Sequence, residues 1–96
     1  MAIILSIESA VTGFSVAIHR NGVLVSFVEL QNQRVASSQL TSAIQQVVAF
    51  SEITFEDLNA VAVSEGPGSY TGLRIGVSTA KGLCVALDLP LISVNT

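Results

Sequence analysis

The sequence is short of the residues that most often announce chemistry. It has one cysteine, Cys84, one histidine, His19, and no tryptophan. A single Cys excludes an internal disulfide framework, and its apolar surroundings fit a small buried hydrophobe rather than a thiol site. A single His excludes a metal centre built on several imidazoles, because such a site takes three or four protein ligands. His19, beside a turn, is expected at the surface. Charge is also scarce: 11% of residues are charged and the net charge is −3. The four cations, Arg20, Arg34, Arg74 and Lys81, are spread thinly along the chain. That excludes the basic stripe that grips nucleic-acid phosphates strongly. Long hydrophobic runs are missing as well. Lys81 interrupts the longest candidate, and nothing reaches the roughly 18 residues needed to span a bilayer. Residues 3–7 are too few for a signal-peptide core. The expectation is a cytoplasmic protein with no membrane attachment.

Apolar side chains are plentiful, at half of all residues. That excludes a disordered chain. A domain of 96 residues hides only about two-thirds of its unfolded surface. The surplus is expected to meet a second lobe, a partner subunit or both.

The pattern predicts five strands and two helices. Residues 3–7 form a nearly continuous apolar run, read as a central strand buried on both faces. Residues 14–19 alternate, Asn21-Gly22 is a strong hairpin signal, and residues 23–28 complete an antiparallel meander. From about residue 37 to Phe50 the period becomes helical, with Leu40, Ala43, Ile44, Val47 and Val48 on one face and Ser37 or Ser38 as the cap. Thr54-Phe55-Glu56-Asp57 reads as a capped helical turn. Residues 60–63 are a fourth strand. Gly66-Pro67-Gly68 breaks it, a helix runs from about Ser69 to Leu87, and residues 91–94 after Pro90 are a fifth strand. The order βββαβαβ, with right-handed crossovers, gives an α/β fold: a five-stranded mixed sheet with helices packed on it, the ribonuclease-H-like arrangement of one actin/Hsp70 superfamily lobe. The chain stops just after a strand with no closing helix, so residues 1–96 are expected to be a single N-terminal lobe cut from a two-lobe protein.

Three places could carry function. The first is the glycine-rich turn before Ser69. It lacks the Gly-Lys-Ser/Thr ending of a phosphate loop, and Pro67 stands where a nucleophile elbow needs Gly. A strand-to-helix turn capped by Ser69 is favoured over phosphate binding at the exposed backbone N–H groups, with Glu65 as a further capping or partner-contact candidate. The second is the turn Glu8-Ser9-Ala10-Val11-Thr12-Gly13, where Glu8, Ser9, Thr12 and Gly13 could hold phosphate or form an ordinary polar turn. The third is the long helix. At about 100° per residue, Arg74, Ser78, Lys81 and Asp88 share a polar sector, while Gly72, Gly76, Thr79 and Leu83 share a stripe with Ala80 beside it. Glycines that each cost a helix about 1 kcal/mol relative to Ala imply a packing reason. Either another helix approaches this stripe across an interface, or both sides are buried within one longer chain. On the interface reading, Gly76→Leu would weaken association and leave the domain folded. Tyr70 fits either core packing or an interface.

Residues 66–84, GPGSYTGLRIGVSTAKGLC, resemble the hallmark segment of the TsaB (YeaZ) family. ILSIES at residues 4–9, SVAIHRNG at residues 15–22 and AVAVSEGPGSYTG at residues 60–72 support the resemblance, which runs through essentially the whole chain. It implies a non-catalytic scaffold subunit, not an enzyme. Such a subunit acts with a TsaD homologue and the ATPase TsaE to make N6-threonylcarbamoyladenosine at position 37 of tRNAs that read ANN codons. It implies no cofactor of its own, ATP acting through partners, and a self-dimer when the subunit is alone. The family's dimer surface, the two N-terminal-lobe helices, maps to Leu40, Ile44, Val47 and Val48 on the first and to Tyr70, Gly72, Leu73, Gly76, Thr79, Ala80 and Leu83 on the second. Two departures bear on chemistry. Glu8 stands where the family usually has Asp. The pair of histidines that catalytic relatives carry on the first helix is missing from Val35-Ala36-Ser37-Ser38 and beyond. No metal site is expected. The alternatives are a nucleotide-binding ATPase or phosphotransferase lobe and, more remotely, a metal-dependent glycoprotease, which would lack the ligands to activate water.

Overall fold

The computed structural model describes residues 2–10, 13–31, 33–64 and 70–94. Three strands open the chain: β1 (Ile3–Ala10), β2 (Gly13–Arg20) and β3 (Val23–Leu30). Helix α1 (Gln33–Phe50) follows, then a single 3₁₀ turn (Phe55–Asp57), β4 (Ala60–Ser64), helix α2 (Tyr70–Leu87) and β5 (Leu91–Val94). The sheet order is β3-β2-β1-β4-β5. β1 pairs antiparallel with β2 and parallel with β4, and β5 runs parallel to β4. This is the expected five-stranded mixed sheet and the expected element order.

Local chemistry explains the corners. Asn21 (φ 53) and Gly22 (φ 82) both take the left-handed backbone that a tight two-residue hairpin needs. Thr54 and Asp57 close the short turn, the Thr54 N–H donating to Asp57 Oδ2 at 2.8 Å. Both helices end on a residue with positive φ, Glu52 (φ 57) after α1 and Asp88 (φ 55) after α2. Leu89 N–H then donates to the Cys84 carbonyl at 2.9 Å and satisfies one of the last orphan acceptors of α2. Helix α1 starts at Gln33, several residues before the expected cap, so Ser37 and Ser38 lie inside the helix.

The core lies between one sheet face and the two helices. Leu5, Ile7, Val16, Ile18 and Val61 on the strands meet Leu40, Ile44, Val47 and Ala80 on the helices, all fully or nearly fully buried. Each large aliphatic side chain so buried contributes about 1.5–3 kcal/mol. A polar link crosses this layer. Ser26 on β3 donates to the Val47 carbonyl at 3.1 Å, and its Oγ lies 2.6 Å from that of buried Ser51. β1 differs from expectation on its second face. Ile4 and Ser6 there, with Ala17, His19 and Ala62 beside them, are only half-buried, because no described element covers that face. His19, expected at the surface, is therefore half-shielded. No helix among the described residues is long and apolar enough to cross a membrane.

Candidate functional site

Two regions hold the sequence candidates. The first lies at the C-terminal ends of the parallel strands β1, β4 and β5, where α/β sheets commonly place ligands. Ser6, Ile7, Glu8, Ala62, Val63, Ser64 and Val94 line a half-open cavity of about 60 Å³. A pocket for a drug-sized ligand or cofactor is about 300–1,000 Å³, so this hollow admits only a small group. Its one carboxylate, Glu8, is exposed and accepts a long 3.4 Å hydrogen bond from Ser15 Oγ. The arrangement can accept and donate hydrogen bonds. Among the described residues no three His, Cys, Asp or Glu side chains gather to hold a metal.

The structure gives Gly13 a different reason from phosphate binding. A Cβ on Gly13 would sit 1.6 Å from the Leu30 carbonyl oxygen. Glycine stands there because the end of β3 passes directly over it. Ser9 faces Phe14 in the β1–β2 ladder. The Ser9 side chain, Thr12, Glu65 and the glycine-rich turn to Ser69 lie outside the described residues.

The second region is the helix layer, and here the sequence reading is corrected. Leu40, Ile44, Val47 and Val48 are buried in the core beneath α1, so they offer no surface to a partner. Gly76 and Ala80 likewise face inward. A Cβ on Gly76 would lie 3.6 Å from the Phe14 ring, 3.7 Å from Ile7 and 3.9 Å from Val63. Leu at that position would drive into the core, so Gly76→Leu is a folding mutation and not a test of association. Leu83 and Thr79 are half-buried, Leu83 against the core cluster. Tyr70, Gly72 and Leu73 lie in α2, with side chains outside the described residues.

The outward side of α2 was missed as an interface candidate. Val85 is 84% exposed, the most exposed large hydrophobic side chain among the described residues. Ser78, Gly82 and Ala86, one turn apart and all exposed, form a second line of small residues beside it. Nothing lies within 4 Å of where a Gly82 Cβ would be. The outward side of α1 is polar at Thr41, Ser42, Gln45 and Gln46 but ends on Phe50, which is 66% exposed. The helical wheel contained both small lines, and only the packing shows which one faces solvent. The expected polar sector does hold for Ser78, Lys81 and Asp88, all exposed.

Residues 27–96 match the family described as TsaD, tRNA N6-adenosine threonylcarbamoyltransferase. The chain belongs to the TsaD family. Similar proteins carry two names. The Escherichia coli (strain K12) "tRNA threonylcarbamoyladenosine biosynthesis protein TsaB" is 37% identical across 97% of this chain and 40% of its own length. A "tRNA N6-adenosine threonylcarbamoyltransferase" of Pediococcus pentosaceus is 41% identical across 98% of this chain and 32% of its own length. The solved structure of YeaZ from Pseudomonas aeruginosa superposes with a TM-score of 0.89 at 24% identity, over 99% of this chain and 44% of that one. The resemblance to TsaB (YeaZ) proteins therefore stands, in sequence and in fold. This TsaD-family chain spans less than half the length of the relatives it matches.

Proposed function

We propose that this chain is a lobe of a binding subunit in the machinery that makes N6-threonylcarbamoyladenosine in tRNA. On this reading it is not itself an enzyme and needs no cofactor. It acts in the cytoplasm as a scaffold for a TsaD homologue, with a TsaE homologue supplying ATP chemistry, and it self-associates when that partner is absent. The likeness to proteins named TsaB motivates the process. The observation that carries the scaffold role is the outward side of α2, where Val85 stands exposed beside Ser78, Gly82 and Ala86. Small residues let a second helix approach closely, and the lone valine supplies a knob for it. The surplus of apolar residues in so short a chain points the same way.

The test is light scattering on the chain alone and mixed with the TsaD homologue of the same organism, repeated with Val85→Lys. A complex that forms with the natural chain and fails with Val85→Lys supports the scaffold and its surface. Gly82→Gln should weaken it too, while Gly82→Ala should raise stability by up to about 1 kcal/mol in the uncomplexed chain. A chain that ignores the TsaD homologue counts against the reading. The second reading, a nucleotide-binding lobe, rests on the turn that starts at Glu8, where the adjoining hollow has room for a phosphate-sized group only. It predicts ATP binding that is lost on Glu8→Ala, and calorimetry without any heat of binding would dispose of it.

A further inference from the structure

The chain has four asparagines, and Asn21 is the one that precedes a glycine. It sits at the tip of the β2–β3 hairpin, where Asn21 and Gly22 are both exposed. Gly22 carries no Cβ to shield its nitrogen, and nothing lies within 4 Å of where a Cβ would be. The bonds at this corner use other groups. The Asn21 N–H donates to the Ala2 carbonyl at 2.8 Å, and the Ala2 N–H donates to Asn21 Oδ1 at 3.0 Å. A donor on a carbonyl oxygen stabilises the oxyanion that forms when the carbonyl carbon is attacked. The tip also opens locally at little cost, because two exposed residues bury almost nothing there. Asn59 supplies a comparison within the same fold. It makes the same two bonds with Ile3, but the residue after it is Ala60, which is 6% exposed and registered against Ile4 in the ladder. The Ala60 side chain and its place in the sheet keep that nitrogen away from the Asn59 amide.

We propose that Asn21 is a site of spontaneous deamidation in the folded chain, reached through a cyclic imide with Gly22. The Gly22 nitrogen attacks Asn21 Cγ and gives up its proton. The Cγ–Nδ2 bond breaks, and the side-chain nitrogen leaves as ammonia. Water then opens the imide on either side. Breaking the Cγ–N bond gives aspartate. Breaking the original peptide C–N bond gives isoaspartate, in which the chain runs through Cβ and Cγ. The sequence consumes water and needs no oxidant, metal or enzyme. Either product adds a negative charge next to Arg20. Isoaspartate also lengthens the turn by a methylene and draws the carbonyl that holds Ala2 into the main chain. The two-residue turn that suits the twist of the hairpin is then lost, and the Asn21 hold on the start of β1 goes with it. The site does not depend on the function proposed above.

The test is to age the whole folded chain at physiological temperature and pH, beside a sample held unfolded in urea. Peptide mass spectrometry follows amide-to-acid conversion at each asparagine, and an endoprotease that cuts before aspartate but not before isoaspartate separates the two products. In the folded sample, acid should accumulate at Asn21 at least about tenfold faster than at Asn59, and at least about tenfold faster than in Gly22→Ala, whose methyl shields the nitrogen. Alanine is strained at the φ of 82 that Gly22 adopts, so the Asn59 comparison, made within the natural chain, stands even where that variant folds poorly. The isoaspartyl fraction should melt below the fresh chain. A folded chain whose Asn21 stays intact while the unfolded sample deamidates overturns the proposal. So does acid that appears at Asn59 as fast as at Asn21.

Discussion

Asn59 and Ile3 exchange two hydrogen bonds of 2.8 Å: the Ile3 N–H donates to Asn59 Oδ1, and the Asn59 N–H donates to the Ile3 carbonyl. On the other side of β1, Asn21 does the same with Ala2, at 3.0 and 2.8 Å. The start of the central strand is thus held from both flanks by an asparagine that imitates a ladder residue. Asn59→Ala strips the acceptor from a partly buried N–H, which costs about 1–3 kcal/mol. In a domain this small, each kcal/mol lowers the melting temperature by roughly 4–8 °C. Asn59→Asp keeps an acceptor oxygen and should lose less. Equal melting curves for natural and Asn59→Ala chains would remove the clamp from the account.

Gly13 and Gly76 should respond oppositely to alanine. At Gly13 the methyl would overlap the Leu30 carbonyl at 1.6 Å, so the end of β3 must move or the chain must unfold. We expect a loss of at least about 2 kcal/mol. At Gly76 the methyl meets Phe14, Ile7 and Val63 at ordinary contact distances, and the helix gains propensity worth up to about 1 kcal/mol. Urea titrations of the two variants decide the matter, and a harmless Gly13→Ala would contradict the close approach.

Glu52 and Asp88 occupy left-handed backbone at φ 57 and φ 55 after their helices. That conformation costs a residue with a Cβ about 1–2 kcal/mol. Glycine removes the strain, though it adds freedom to the unfolded chain. Glu52→Gly and Asp88→Gly should each stabilise by roughly 0.5–1 kcal/mol. A drop in melting temperature for either would show that the side chain holds something more valuable than the strain it carries.

Burial pushes the Cys84 thiol up from its ordinary value, only partly opposed by a backbone hydrogen bond at Val61. Its Sγ donates to the Pro90 carbonyl at 3.6 Å. A folded-state pKa above the unfolded one means that this stabilisation is complete below the unfolded thiol's pKa of about 8.5 and fades as pH rises through the folded value. Alkylation of the native chain near pH 8 should therefore be slow and should accelerate on unfolding. Cys84→Ala should flatten the alkaline fall in stability. Rapid native alkylation would place the thiol outside the core.

The strands and helices were legible because their periods are clear and Asn21-Gly22 announces its turn. The α1 boundary was not, because Gln33, Arg34, Val35 and Ala36 carry no start signal, whereas Ser37 and Ser38 look like caps. The amphipathic face of Leu40, Ile44, Val47 and Val48 was visible as a stripe, but a stripe does not say whether it meets a sheet or a partner. In α2 two lines of small residues lie on different sides, and only the Phe14 and Ile7 contacts at Gly76 show that one of them is core. Asn59 and Gly13 left no local trace. Their roles depend on Ile3 and Leu30, which are distant in sequence and adjacent only after folding.

β1 precedes the other four strands in this chain and is the middle strand of the sheet. Its antiparallel neighbour follows at once through a short turn, but its parallel neighbour arrives only after β3, the whole of α1 and the 3₁₀ turn have emerged. Contacts so distant in sequence form slowly, and the interval leaves an apolar strand edge open to the wrong partner. Asn59, the residue just before β4, bonds to Ile3 at the start of β1, so the parallel pair of strands is fastened at the end where both begin.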